Sequence, residues 1–111
     1  MSHEFPESDW KLLRKFHELA VERYCQRVLV ELDHLRSDST KSAHQRYLDI
    51  YKLIDDRDNE IAQTFNDSRR STALIELCAI RSLELISNQE FAQFSQTTQD
   101  RINFLLSDRR A

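Results

Sequence analysis

The stretch that decides the fold is Ser8–Leu35, SDWKLLRKFHELAVERYCQRVLVELDHL. Its apolar positions Leu13, Phe16, Ala20, Tyr24, Val28, Leu32 and Leu35 advance in steps of three and four. That spacing keeps them on one face of an α-helix and on no face of a strand. Ser8 is placed to cap the first turn, and Asp9 puts a negative charge at the positive end of the helix dipole. Trp10, Leu12, Leu19, Val21, Cys25 and Leu29 widen the stripe well past a two-helix seam. So broad an arc predicts packing against more than one neighbour.

Working outward, Arg36–Ser42 (RSDSTKS) is a polar connector, and Ser42 followed by Gln45 fits a capping box for a second helix. Ala43, Tyr47, Ile50, Ile54, Ile61 and Phe65 share its expected apolar face. Two long helices joined by a short loop predict an antiparallel hairpin. The helical phase then continues through Ser68, Thr72, Ile75, Ala79, Leu83 and Ile86, although Asn66-Asp67-Ser68 favours a break. An unbroken helix from Ser42 to Ile86 would run about 67 Å at 1.5 Å per residue. That length exceeds a compact monomer and would imply an extended dimer, so a break near Asn66–Arg70 is the preferred reading. Ser87 with Glu90 forms a further capping box, opening a short helix over Asn88–Phe94. Ser95 opens a last helix from about Gln96 to Leu106, and Arg109 and Arg110 suit the negative end of its dipole.

Composition agrees with this. The 111 residues contain no glycine and one proline, Pro6. Sheet proteins need positive-φ turns that glycine supplies most readily, whereas helices joined by polar loops do without it. The lack of glycine also excludes a Walker loop and a dinucleotide fingerprint. The expected fold is therefore all-α: a small helical bundle on a long antiparallel hairpin, with shorter C-terminal helices. Residues 1–7 form a flexible lead-in and residues 8–111 a single domain.

No apolar run reaches the ~18 residues of a membrane span, and Met1–Lys15 carries no apolar stretch of signal-peptide length. Cys25 and Cys78 then read as reduced, buried thiols in a cytoplasmic protein; a disulfide between helices would require an oxidising compartment. The net charge of −3 argues against a dedicated nucleic-acid binder.

The chemistry-bearing residues each allow a structural and a functional reading. Glu31 and His34 stand one turn apart, as in a di-iron pair, but a di-iron centre needs two such pairs and further carboxylates. No metal site or cofactor is expected. His3 lies in the lead-in and His44 in the first turn of the second helix. His17 falls inside the apolar arc, as a core histidine or a group contacting a ligand. Arg23 and Arg27 border the same arc, and Arg57 and Asp58 border that of the second helix. Charges placed there must be paired or face a cavity. An interhelical pair of Arg23 or Arg27 with Asp58 is one reading. A polar pocket lined by His17, Arg57 and Asp58 is the other. Arg69-Arg70-Ser71-Thr72 is the best candidate for holding a phosphate or carboxylate, provided a helix begins there with free N–H groups. Trp10, Phe91, Phe94 and Phe104 are core aromatics or, if exposed as a cluster, a partner surface.

Ser8-Asp9-Trp10-Lys11-Leu12-Leu13-Arg14, Arg69-Arg70-Ser71-Thr72-Ala73-Leu74 and Phe91-Ala92-Gln93-Phe94-Ser95 together resemble a family of small all-helical bacterial proteins without an assigned function. The resemblance covers roughly Ser8 to Asp100 and brings no active-site residues. Some members carry a label linking them to substrate binding in peptide transport. This chain is too short for a two-lobed binding protein and shows no signal-peptide stretch, so that role is not expected. The leading functional expectation is a non-enzymatic protein–protein interaction module, homodimeric. The alternative is a small-ligand or anion-binding protein, with an enzyme among its forms, using His17, Arg57, Asp58, Arg69, Arg70, Ser71 and Thr72 and no catalytic residue assigned.

Overall fold

A computed structural model describes residues 5–110, with side chains through 107. The described chain is all-α. Helix α1 spans Glu7–Arg36, α2 Ala43–Phe65, α3 Ala73–Ser82, α4 Asn88–Phe91 and α5 Gln96–Arg110, with a 3-10 turn at Arg70–Thr72 before α3. None of these helices is long and apolar enough to cross a membrane.

The helix starts follow their caps. The Ser42 hydroxyl accepts from the Gln45 N–H at 3.0 Å, although the Gln45 side chain turns away to Asp49. The Ser87–Glu90 box closes in both directions. Ser95 Oγ accepts from the Thr98 N–H at 3.3 Å and opens α5, which runs on past Leu106. The α1 start differs from expectation. Pro6, not Ser8, is the cap residue, and α1 begins at Glu7. Phe5 is buried and Arg70 donates to its carbonyl, so Phe5–Glu7 belong to the fold rather than to a free lead-in. Residues 1–4, with His3, lie outside the described residues, as do the side chains of Arg109 and Arg110.

The chain breaks after Phe65, as its Asn-Asp-Ser run predicts, and α3 turns back across the hairpin. The core gathers at this end. Leu13, Phe16, Ala20 and Tyr24 of α1 meet Phe65, Ala73, Leu77, Ile80, Leu85, Phe91, Phe94 and Ile102. α3 is the central helix, against α1, α2 and α5. Because the chain has no glycine, a non-glycine residue takes the left-handed turn that ends α3: Glu84 sits at φ 56°. The Leu85 N–H returns to the Ile80 carbonyl at 3.0 Å, closing a Schellman-type end over buried Leu85.

Among the described residues the far end of the hairpin has no third layer. The radius of gyration is 17.0 Å and the longest extent 59 Å. A compact chain of this size would have a radius of about 13 Å. Beyond Val28 on α1, and before Phe65 on α2, no residue is fully buried. Toward the connecting loop the two helices pack on each other, as the Glu31–Arg57 pair shows.

Candidate functional site

His17 reaches across to α3, where its Nδ1 lies 2.9 Å from Glu76 Oε2. With a carboxylate as acceptor, the ring nitrogen donates. The Phe65 ring meets the imidazole edge-on at 5.2 Å. Glu76 is buried, its Oε1 has no hydrogen-bond partner among the described residues, and His17 is the one basic side chain paired with it there. This pair joins α1 to α3 inside the core.

Arg57 lies elsewhere, along the seam of the hairpin. Its Nε and one terminal nitrogen donate to both oxygens of Glu31, at 2.9 and 2.8 Å. The bidentate bond holds the Glu31 carboxyl below its usual range and the guanidinium above its own. Glu31 is thereby an ion-pair partner rather than half of a metal motif, and His34 is exposed. One turn closer to the core, the Tyr24 hydroxyl donates to Glu60. Burial, then that bond, pushes the Tyr24 phenol well above its usual value.

The expected pairing of Arg23 or Arg27 with Asp58 is not what forms. Arg23 makes a bidentate bond to Glu90 at 2.7 and 2.9 Å and donates to the Leu85 carbonyl at 2.8 Å. Arg27 donates to the carbonyls of Leu83 and Glu84. Both arginines face the α3–α4 turn because α3 folds back onto that flank of α1. Asp58 sits on the outer face of α2, exposed.

The Arg69–Thr72 segment is occupied by its own neighbours. Arg69 is bidentate to Asp67 at 2.7 and 3.0 Å. Arg70 donates to Glu7 at 2.7 Å and to the Phe5 carbonyl at 2.8 Å. The Thr72 hydroxyl donates to the Asp67 carbonyl at 2.6 Å and accepts from the Arg69 N–H. Ser71 is exposed in the 3-10 turn. The expected helix N-terminus is therefore a three-residue turn with both guanidinium groups neutralised. The residues proposed for an anion pocket do not converge: His17, Asp58 and Thr72 line three separate clefts.

What the structure does assemble is a surface. On the distal arm Leu29 is 58% exposed and Val30 55%, and on α2 Tyr47 is 65% and Tyr51 69% exposed, with Leu48 and Ile54 beside them. Tyr47, Ile50, Tyr51, Ile54, Asp55 and Asp58 line a shallow, mostly apolar groove of about 370 Å³. The sequence pattern placed Tyr47 and Ile54 on the packed face of α2. The packed face instead runs through Arg46, Ile50, Leu53, Arg57 and Ile61, all half-buried. The reason is that the apolar arc of α2 is wider than one helix can cover, and the third layer stops short of it. Phe104, also exposed, is the C-terminal aromatic that stays out of the core, while Phe91 and Phe94 enter it.

Comparison with protein-family models, with curated proteins and with solved structures returns no match that would place the chain in a family.

Proposed function

We propose that this protein is a non-enzymatic interaction module, and that the distal arm of the α1–α2 hairpin docks against a second copy of the chain. The observation that carries this is the row of large apolar side chains on a two-helix arm that no other described part of the chain covers. Leu29, Tyr47, Leu48, Tyr51 and Ile54 are all exposed there. Apolar patches larger than a few hundred Å² are rare on monomers and mark interaction sites. Tyrosine suits an exposed contact because its ring is a large apolar body and its hydroxyl keeps a hydrogen bond.

An aromatic side chain buries about 150–250 Å². The four tyrosines of two copies, with Leu48 and Ile54, approach the ~1,000 Å² of a small specific interface. A small interface of this kind suits reversible association, with the affinity set by the quality of its contacts rather than by area. A cytoplasmic setting fits the two cysteines, which are unpaired thiols, Cys78 buried and Cys25 half-buried. The alternative of an anion site has less support, because Arg57, Arg69 and Arg70 are each held by a carboxylate.

Sedimentation equilibrium from about 1 to about 200 µM tests the proposal. Wild-type chain is expected to shift from monomer to dimer across this range, and the Tyr47→Ser/Tyr51→Ser variant to stay monomeric with an unchanged circular-dichroism spectrum. A wild-type chain monomeric throughout, or a double variant that dimerises as well as wild type, would overturn it.

A further inference from the structure

The outer face of α2 is self-complementary about Tyr51, and we infer that two copies meet there antiparallel, related by a two-fold axis through that residue; this rests on the dimer reading above. His44, Tyr47, Leu48, Tyr51, Ile54, Asp55 and Asp58 are all exposed. At 100° per residue they fall within about a third of the helix circumference. Reversing one copy about Tyr51 sets residue 44 against 58, 47 against 55 and 48 against 54. Leu48 then packs on Ile54, the Tyr47 hydroxyl reaches Asp55, and the imidazole of His44 meets the Asp58 carboxylate.

The charges choose this direction. Lys41 is paired with Asp49, and Lys52 with Asp56. Asp55 and Asp58 have no cationic partner among the described residues, and they sit together at the core-proximal end of the row. A parallel arrangement would press two such acidic ends against each other, which is unfavourable. The antiparallel one moves each acidic end to the imidazole and phenol end of its neighbour. An isologous contact of this kind closes on itself and leaves no surface to propagate.

Short bismaleimide cross-linking reads the register, in a Cys25→Ser background with the buried Cys78 retained. The Tyr51→Cys chain is expected to cross-link to itself. The Asp58→Cys chain is not, because its two copies would stand about 21 Å apart, fourteen residues at 1.5 Å each. A mixture of Leu48→Cys and Ile54→Cys chains is expected to form the mixed product in preference to either self-product. A charge exchange gives a second reading that needs no cysteine. Asp58→Arg should weaken dimerisation about tenfold, and His44→Glu added to it should restore Kd to within about threefold. If wild type dimerises but Asp58→Cys self-links as well as Tyr51→Cys, or if neither links, the register is wrong and the dimer reading stands. If wild type stays monomeric in sedimentation, both fall.

Discussion

Asp9, in the first turn of α1, accepts from the Ser95 N–H at 2.9 Å and from the Ser95 hydroxyl at 2.7 Å, 86 positions along the chain. The Thr98 hydroxyl adds a third bond at 2.6 Å. Asp9 and Thr98 are both buried. The residue that suits the α1 dipole therefore also fastens the start of α5, and it closes the bundle end to end.

Asp9→Ala should accordingly cost about 2–4 kcal/mol, because it strands a buried donor on Thr98 and half-buried ones on Ser95 as well as losing three bonds. Urea unfolding followed by circular dichroism measures it. A loss below about 1 kcal/mol would show that water replaces the carboxylate at no cost.

The His17–Glu76 pair should behave as a unit. His17→Ala removes the one hydrogen-bond partner that the buried Glu76 carboxyl has among the described residues and is expected to destabilise by about 3 kcal/mol. Replacing both, as His17→Leu/Glu76→Leu, should cost less than that single change. A double-mutant cycle in which the two losses simply add would contradict the coupling.

Glu84 offers a gain. A non-glycine residue in the left-handed region carries roughly 1 kcal/mol of backbone strain. Glu84→Gly should stabilise the fold by about 0.5–1 kcal/mol, against the usual trend for introducing glycine. A lower urea midpoint for the variant would show that the turn is not strained.

Acid should release the Arg23–Glu90 tie. The Arg23 guanidinium, with the Ser87 N–H, holds the Glu90 carboxyl at about 2, against an ordinary 4.5. A carboxyl depressed in the folded state contributes stability that is complete above its unfolded value and lost as the pH falls toward the folded one. Wild type should therefore exceed Glu90→Gln by about 1–2 kcal/mol at pH 7, allowing for solvent screening. That margin should shrink between about pH 4.5 and 2. A margin independent of pH would mean that the charge plays no part.

The hairpin, the break after Phe65 and the caps at Ser42, Ser87 and Ser95 were legible because each is written locally, whereas Ser8 lost the start of α1 to Pro6. Three-and-four spacing and a Ser at the right offset need no knowledge of the rest of the chain. Asp9 with Ser95, His17 with Glu76, and Arg23 with Glu90 were not legible, because their partners lie 86, 59 and 67 positions away. Charge and spacing marked His17, Arg23 and Arg57 as residues that would need partners, but not which partners. The apolar face of α2 was the instructive miss. The pattern identifies which side chains avoid water, and Tyr47 and Ile54 belong to that set. It does not say how far the third layer extends, and here the layer ends before reaching them.

Amide hydrogen exchange at about 2 µM and about 200 µM tests the account most directly. If the bare arm is a contact between copies, residues 44–58 should gain protection at the higher concentration while α3, buried within each chain, stays the same. An arm that exchanges at one rate at both concentrations would contradict it.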